Sequence, residues 1–180
     1  MKKLFLLRHA QTLPAAFGGQ KDSERKLTPK GQADAMALGA SMIKRHLVPD
    51  LMLCSTAERT QETLRIVKHA FPRETTTHFL PLLYDASRED LLHLIQNTTN
   101  TTENLMIVGH NPTMHEFCAL LAQNAPESIK NKIMLGYPPG TLTVVDFPTC
   151  TAWAKITPEL AQVTLYLTPQ DYNAPKHPAR

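Results

Sequence analysis

Disulfide chemistry is the first thing this sequence lacks. Its 180 residues include three cysteines, Cys54, Cys118 and Cys150, an odd number with no C-x-x-C spacing, which excludes a disulfide scaffold and a paired-cysteine metal motif. Each sits in or beside an apolar segment, as buried free thiols of a reducing compartment do. Long apolar runs are missing too, and no stretch approaches the roughly 20 residues that a bilayer-spanning helix needs. Lys2 and Lys3 ahead of residues 4–7 imitate the start of a secretory signal, but Arg8 and His9 cut the apolar run far short of an h-region. Basic runs are absent as well. The formal net charge is +3 with Lys and Arg scattered along the chain, so neither nucleic acid nor a membrane is expected as a partner, and a basic site for an anion accounts for the charge. No internal repeat is visible. With 42% hydrophobic residues the chain can bury one sizeable core. The expectation is one compact α/β unit, soluble, cytoplasmic and monomeric.

What is present begins with residues 4–7, four consecutive apolar residues that suit a central strand covered on both faces. Arg8 and His9 fall where that strand leaves the sheet, the edge at which open α/β sheets bind ligands. Residues 11–26 show no sustained period and carry Pro14, Gly18 and Gly19, which marks a loop beside the strand end. Thr28 and Pro29 have the character of an N-cap and first helical residue, followed by Ala33, Met36, Ala37, Ala40, Ile43 and Leu47 at helical spacing. Residues 51–54 form a second apolar strand. Ser55 and Glu58 have capping-box spacing, which puts Arg59 in the first turn of the next helix.

A third strand is expected over residues 79–83, with Pro81 limiting its pairing. Ser87 and Asp90 again have capping-box spacing, before a helix with Leu91, Leu92 and Ile95 on its apolar face. Residues 105–108 repeat the opening design: an apolar strand, Gly109, His110, then a helix begun by Asn111 and Pro112 with Phe117, Leu120 and Leu121 toward the core. Residues 126–134 read as helix, residues 142–147 and 163–167 as strands, and 153–156 as a further one. Residues 168–180, with three prolines and little apolar content, read as a frayed tail after a single domain over 1–167. Met36, Met42 and Met134 read as core filler, and His46, His69, His78, His93 and His177 as solvated or locally hydrogen-bonded.

Three strand-to-helix junctions therefore carry Arg8 with His9, Arg59, and His110, all on one sheet edge if the strands are parallel. Helix N-termini at the same edge add backbone amides, the ordinary physical recipe for holding a phosphate. In this order the residues resemble the histidine phosphatase superfamily. The family's opening Arg-His-Gly is matched by Arg8, His9 and Ala10, with Thr12 at the usual offset. Its second arginine segment is matched by Ser55, Arg59 and Thr63, and its second histidine by Gly109, His110 and Asn111. The resemblance covers about residues 1–167. It implies the phosphoglycerate mutase-like fold, a three-layer α/β sandwich with a mostly parallel central sheet flanked by helices. Within the superfamily, the short length and the Gly-His-Asn-Pro run are most similar to the SixA-type phosphohistidine phosphatases.

By that resemblance His9 is the nucleophile and becomes transiently phosphorylated, Arg8, Arg59 and His110 clamp the phosphoryl oxygens, and Asn111 and Thr12 complete the binding site. The substrate is then a phosphohistidine-bearing protein of a phosphorelay or phosphotransfer pathway. No cofactor and no metal is expected: the arginines supply the charge, and His110 and His115, five apart, lack the H-E-x-x-H zinc pattern. Two departures bear on this. Ala10 replaces the family's glycine, and the glutamate that mutases and many small-molecule phosphatases place after the third strand has no clear counterpart in residues 82–86. Asp85, Glu89 and Asp90 are the nearby acids, each open to two readings, a proton donor or ordinary helix capping. Two rivals remain: a small-molecule phosphate ester phosphatase or mutase with Asp85 or Glu89 as acid, and a non-catalytic module that binds phosphorylated partners, against which an intact His9 argues.

Overall fold

A computed structural model describes residues 1–14 and 21–173. Gly18, Gly19 and His177 lie outside the described residues, as does the end of the expected tail. The elements run β1 (Lys2–Arg8), α1 (Pro29–Lys44), β2 (Leu51–Ser55), α2 (Glu58–Lys68), β3 (Thr76–Leu80), α3 (Arg88–Gln96), β4 (Asn104–Gly109), α4 (Thr113–Leu121), α5 (Glu127–Leu135), β5 (Leu142–Phe147), β6 (Gln162–Leu167) and α6 (Pro169–Asn173), with short 3-10 turns between. The six strands form one sheet in the order β3-β2-β4-β1-β5-β6. β3, β2, β4 and β1 pair in parallel, while β5 runs antiparallel to both its neighbours.

Alternation along the strands separates two cores. Leu4 and Leu6 of β1, with Leu105 and Ile107 of β4, face Leu91, Ile95, Phe117, Leu121 and Trp153. Phe5 and Leu7, with Met106 and Val108, face Leu38, Met42, Leu64 and Val67. Helices α1 and α2 thus cover one face and α3 to α5 the other, giving the three-layer sandwich. Each fully buried leucine in these layers contributes about 1.5–3 kcal/mol relative to exposure. Cys54, Cys118 and Cys150 are unpaired and buried. No described helix is long and apolar enough to cross a membrane.

Register brings the two histidine junctions together. Arg8 pairs with Gly109 across β1 and β4, so the next residue of each strand, His9 and His110, emerges at the same height. His9 N–H donates to the Gly109 carbonyl at 3.2 Å. Cys54 pairs with Val108 across β2 and β4, which sets Ser55 beside the same edge.

Several local expectations are corrected. The buried face of α1 is Gly31, Asp34, Ala35, Leu38, Gly39 and Met42, not the stripe through Ala33, Met36 and Ala40, and Met36 is 61% exposed. The reason is close packing. A Cβ at Gly31 would lie 2.1 Å from the Gln11 carbonyl oxygen, and one at Gly39 2.8 Å from that of Val67, so the small residues mark the contact face. Met42 is buried, whereas Met134 on α5 is 81% exposed and fills no core. β3 starts earlier than expected, at Thr76, and Pro81 ends it by opening a 3-10 turn over Pro81–Tyr84. The threonines suit it because β3 is an edge strand with little cover. Residues 153–155 form a 3-10 turn rather than a strand: Trp153 is anchored through its indole N–H to the Thr102 carbonyl at 2.7 Å.

Two caps also differ. α2 begins two residues later than read, after Ala57, which has no side-chain acceptor to cap it, and α4 begins after Pro112 without a cap from Asn111. The caps of Thr28 on α1 and of Ser87 with Asp90 on α3 form as read. The first part of the expected frayed tail is helical: in α6, Tyr172 donates to the Gly140 carbonyl at 2.9 Å, Asn173 to Asp34 at 2.8 Å, and Asp171 pairs with Lys132 at 3.1 Å.

Candidate active site

His9 leaves β1 on a turn held from three sides. Its carbonyl accepts from Gly140 N–H at 2.9 Å, Arg8 N–H donates to the Thr141 carbonyl at 3.0 Å, and Ala10 N–H donates to Thr63 Oγ at 2.9 Å. Thr63 in turn donates to the Arg59 carbonyl at 2.6 Å, so the two arginine segments are tied through one hydroxyl. Ala10 is fully buried, and its methyl is accommodated where the family pattern has glycine.

The ring of His9 is itself oriented. Nδ1 lies 2.8 Å from the Ala10 carbonyl oxygen; a carbonyl can only accept, so Nδ1 carries the proton and Nε2 keeps its lone pair. Burial lowers the His9 pKa to about 4, helped by the charges of Arg8, Arg59 and Arg25, while the Ala10 carbonyl works the other way. At neutral pH the ring is therefore uncharged and its Nε2 is free to attack.

His110 stands 5.3 Å from His9, ring centre to ring centre. Arg59 Nε donates to its Nδ1 at 3.3 Å, so Nε2 carries the proton and donates to Ser55 Oγ at 2.8 Å. Burial, then Arg59, pushes its pKa down to about 3. Arg59 is buried in the first turn of α2, as its place one turn after β2 requires. Arg8 sends one amino group to the Tyr137 carbonyl at 2.6 Å, and its Nε is buried without a partner among the described atoms, a donor left for an anion.

The remaining sequence-derived residues divide. Asn111 donates to the same Tyr137 carbonyl at 3.1 Å. It lines a cavity of about 280 Å³ together with Tyr84, Asp85 and His110. Thr12 does not stand alone at the site: its hydroxyl accepts from Arg25 at 2.6 Å. Asp85 reaches the cavity wall, but Glu89 is 77% exposed, outside the cavity lining and 3.7 Å from Arg88. Asp90 is occupied in capping Ser87 N–H at 2.9 Å. His115 donates from Nε2 to the Ile133 carbonyl oxygen at 2.7 Å. Among the described residues no three His, Cys, Asp or Glu side chains gather as a metal site.

Sequence reasoning missed four contributors. Asp22 bonds Arg59 at 3.0 Å and Arg25 at 3.0 Å, and it accepts from the Tyr84 hydroxyl at 2.6 Å. Tyr84 also sets its ring 5.4 Å from His110 and 5.6 Å from the Arg59 guanidinium. Ser55 was read as a cap and as part of the arginine segment, but not as the partner of His110. Asp22 and Arg25 lie in the stretch without periodicity, where no spacing singles them out.

Residues 4–86 match the family model of the histidine phosphatase superfamily (branch 1). A solved structure from Agrobacterium tumefaciens, assigned as the phosphohistidine phosphatase SixA, has a TM-score of 0.79 and 28% identity, covering 93% of this chain and 98% of that one. The chain is thus similar to the histidine phosphatase superfamily in sequence over residues 4–86 and in fold over most of its length. A second structure assigned as SixA, from Nakamurella multipartitia, has a TM-score of 0.75 at 25% identity, covering 93% and 96%. An uncharacterised chloroplastic protein of Arabidopsis thaliana is 29% identical over 130 residues, 67% of this chain, and the match spans 59% of that protein's length. An α-ribazole-5'-phosphate phosphatase of Escherichia coli shares the fold, with a TM-score of 0.61 at 18% identity, 94% of this chain and 98% of that one. The family match ends at Ala86, so His110 enters through the fold and the register of β4 rather than through that match.

Proposed function

We propose that this chain is a phosphohistidine phosphatase, removing phosphate from a phosphohistidine-bearing protein by way of phosphorylated His9. The observation that carries the reading is the His9 ring, with Nδ1 bonded to the Ala10 carbonyl and Nε2 unprotonated beside Arg8, Arg59 and His110. A binding module needs the cations but not an oriented lone pair.

In the first step His9 Nε2 bonds to phosphorus as the phosphorus–nitrogen bond of the substrate breaks, and the leaving imidazole takes up a proton from solvent. His9 gains positive charge as it forms the bond, and its Nδ1–H to Ala10 hydrogen bond strengthens with that charge. Arg8 and Arg59 hold the equatorial oxygens, the preorganised clamp that phosphoryl transfer requires, and His110 joins it when its Nε2–H turns from Ser55 to a phosphoryl oxygen. Water then attacks the phosphoenzyme, the bond to His9 Nε2 breaks, and inorganic phosphate leaves. Arginine supplies the positive charge that a metal ion supplies elsewhere, so no metal enters either step.

The leaving group decides between this and the phosphate ester reading, which the placement of Asp85 on the cavity wall favours. An alkoxide is strongly basic and needs a positioned acid, whereas free imidazole has a pKa of roughly 6.5. Asp85 is solvent-exposed. Phosphate release should be measured on a panel of phosphohistidine proteins and unactivated alkyl phosphates, with the parent and with Asp85→Asn and Glu89→Gln. Phosphohistidine is expected to turn over much faster, and each substitution to change that rate less than about tenfold. Equal turnover of alkyl phosphates, lost in either variant, would replace this reading with the ester phosphatase.

A further inference from the structure

Arg59 has much of its hydrogen-bonding capacity in use. Nε donates to His110, one terminal nitrogen donates to the Asp22 backbone carbonyl at 2.7 Å, and the other pairs with the Asp22 carboxylate at 3.0 Å. A guanidinium has five N–H donors, so one hydrogen on each terminal nitrogen remains for a phosphoryl oxygen. Arg25 is committed to the same degree: Nε donates to the Leu13 carbonyl, and the two terminal nitrogens to Asp22 and Thr12. Asp22 is thus the hub of the mouth, holding Arg25 on one oxygen and Arg59 and Tyr84 on the other.

This wiring sets the charge the site can offer. Arg8, Arg59 and Arg25 bring three positive charges to His9, Asp22 is the carboxylate bonded to two of them while Asp85 lies on the wall of the neighbouring cavity, and both histidines are neutral at pH 7 because burial holds their pKa values at about 4 and about 3. Asp22 is ionised, its pKa drawn to about 2, chiefly by the Tyr84 hydroxyl and then by Arg25 and Arg59. Two positive charges remain, enough to match one phosphoryl dianion and no more. A bound phosphoryl group and Asp22 then share a single guanidinium, so any further anion on the substrate near this end meets a carboxylate instead of a cation.

We propose that Asp22 is a specificity-determining residue whose carboxylate admits a lone phosphoryl group and repels phosphorylated ligands that carry a second negative group beside it. The idea rests on the reading of Arg8, His9, Arg59 and His110 as the phosphoryl site, and it deepens that reading. Phosphohistidine has no second anion next to its phosphoryl group, whereas small phosphorylated acids do. Discrimination of this kind works through a built-in repulsive element rather than through extra contacts to the favoured ligand.

The test is binding, read by calorimetry without turnover, with inorganic phosphate and phosphoglycolate as probes. The parent is expected to prefer inorganic phosphate. Asp22→Asn, which keeps an oxygen for Arg59 but removes the charge, is expected to narrow that preference about tenfold, with phosphoglycolate gaining more, and Asp22→Glu to restore it. If Asp22→Asn weakens both probes equally, Asp22 only positions Arg59 and the proposal fails. The parent gives a check independent of any variant: its preference must shrink as salt rises, because Asp22 is half exposed and its repulsion is screened, and a salt-insensitive preference also overturns the idea. A chain that shows this preference but releases no phosphate from phosphohistidine proteins would refute the reaction proposed above and leave the role of Asp22 standing.

Discussion

His9 is prepared by groups that act on different atoms. The Ala10 carbonyl fixes which nitrogen bears the proton, and burial with three nearby arginines keeps the other nitrogen bare. His9→Ala is therefore expected to abolish phosphate release with the fold retained, since the ring sits at a strand end and not between the layers; far-ultraviolet circular dichroism and a phosphate assay together check this. Activity near that of the parent would end the mechanism. Arg59→Ala should lower the rate by a hundredfold or more, the usual cost of one group that stabilises transferring charge, about 3 kcal/mol. A loss of only a few-fold would make Arg59 a scaffold for His110 and Asp22. Because arginines provide the charge, dialysis against a chelator is expected to leave the rate unchanged, and recovery of a lost rate by zinc or magnesium would contradict it.

Helix α1 shows how an element can be legible in extent and illegible in phase. Thr28 and Pro29 give its start from sequence, and the structure agrees. The buried face was hidden because hydrophobic spacing favours Met36 and Ile43, while the contact with the loop at Gln11 and with α2 selects small residues. Gly31→Ala would put a methyl against the Gln11 carbonyl oxygen, so it is expected to destabilise the chain by about 1–3 kcal/mol through overpacking, although alanine in an exposed helix interior normally gains about 1 kcal/mol over glycine. Urea unfolding decides the sign, and a stabilised variant would mean that the loop yields freely. The junctions were easier to read. Arg8 with His9 and Gly109 with His110 both end apolar strands, and parallel pairing needs only matched register to unite them. Asp22 and Tyr84 were not legible as partners, since their meeting with Arg59 depends on how an irregular segment and a turn after Pro81 fold over the sheet edge. Ser55 misled for a related reason: one hydroxyl can cap a helix or accept from a histidine at the end of the neighbouring strand, and only the register of β2 against β4 decides between them.

At the scale of the molecule, the site imposes a pH dependence on stability. His9 and His110 are folded into surroundings that reject a proton, with pKa values near 4 and 3, whereas both titrate near 6.5 once the chain unfolds. Between those values the unfolded chain binds more protons than the folded one, so falling pH favours unfolding. The contribution of the pair is fully present above about pH 6.5 and is lost progressively as pH falls toward 4 and then 3. The two rings face each other at 5.3 Å, so a proton on one opposes a proton on the other and spreads the loss over a wider range. Asp22 acts in the same direction but lower, since its pKa of about 2 lies below the ordinary 3.9 of aspartate; its contribution disappears only below that value. Thermal unfolding midpoints are therefore expected to fall between pH 7 and pH 4.5, where ordinary carboxylates are still mostly ionised, and the fall should be shallower in His9→Ala and His110→Ala than in the parent. A parent midpoint that stays level across this window, or variants that decline as steeply, would mean that both histidines accept protons in the folded state, and the uncharged nucleophile would then be lost along with the stability argument.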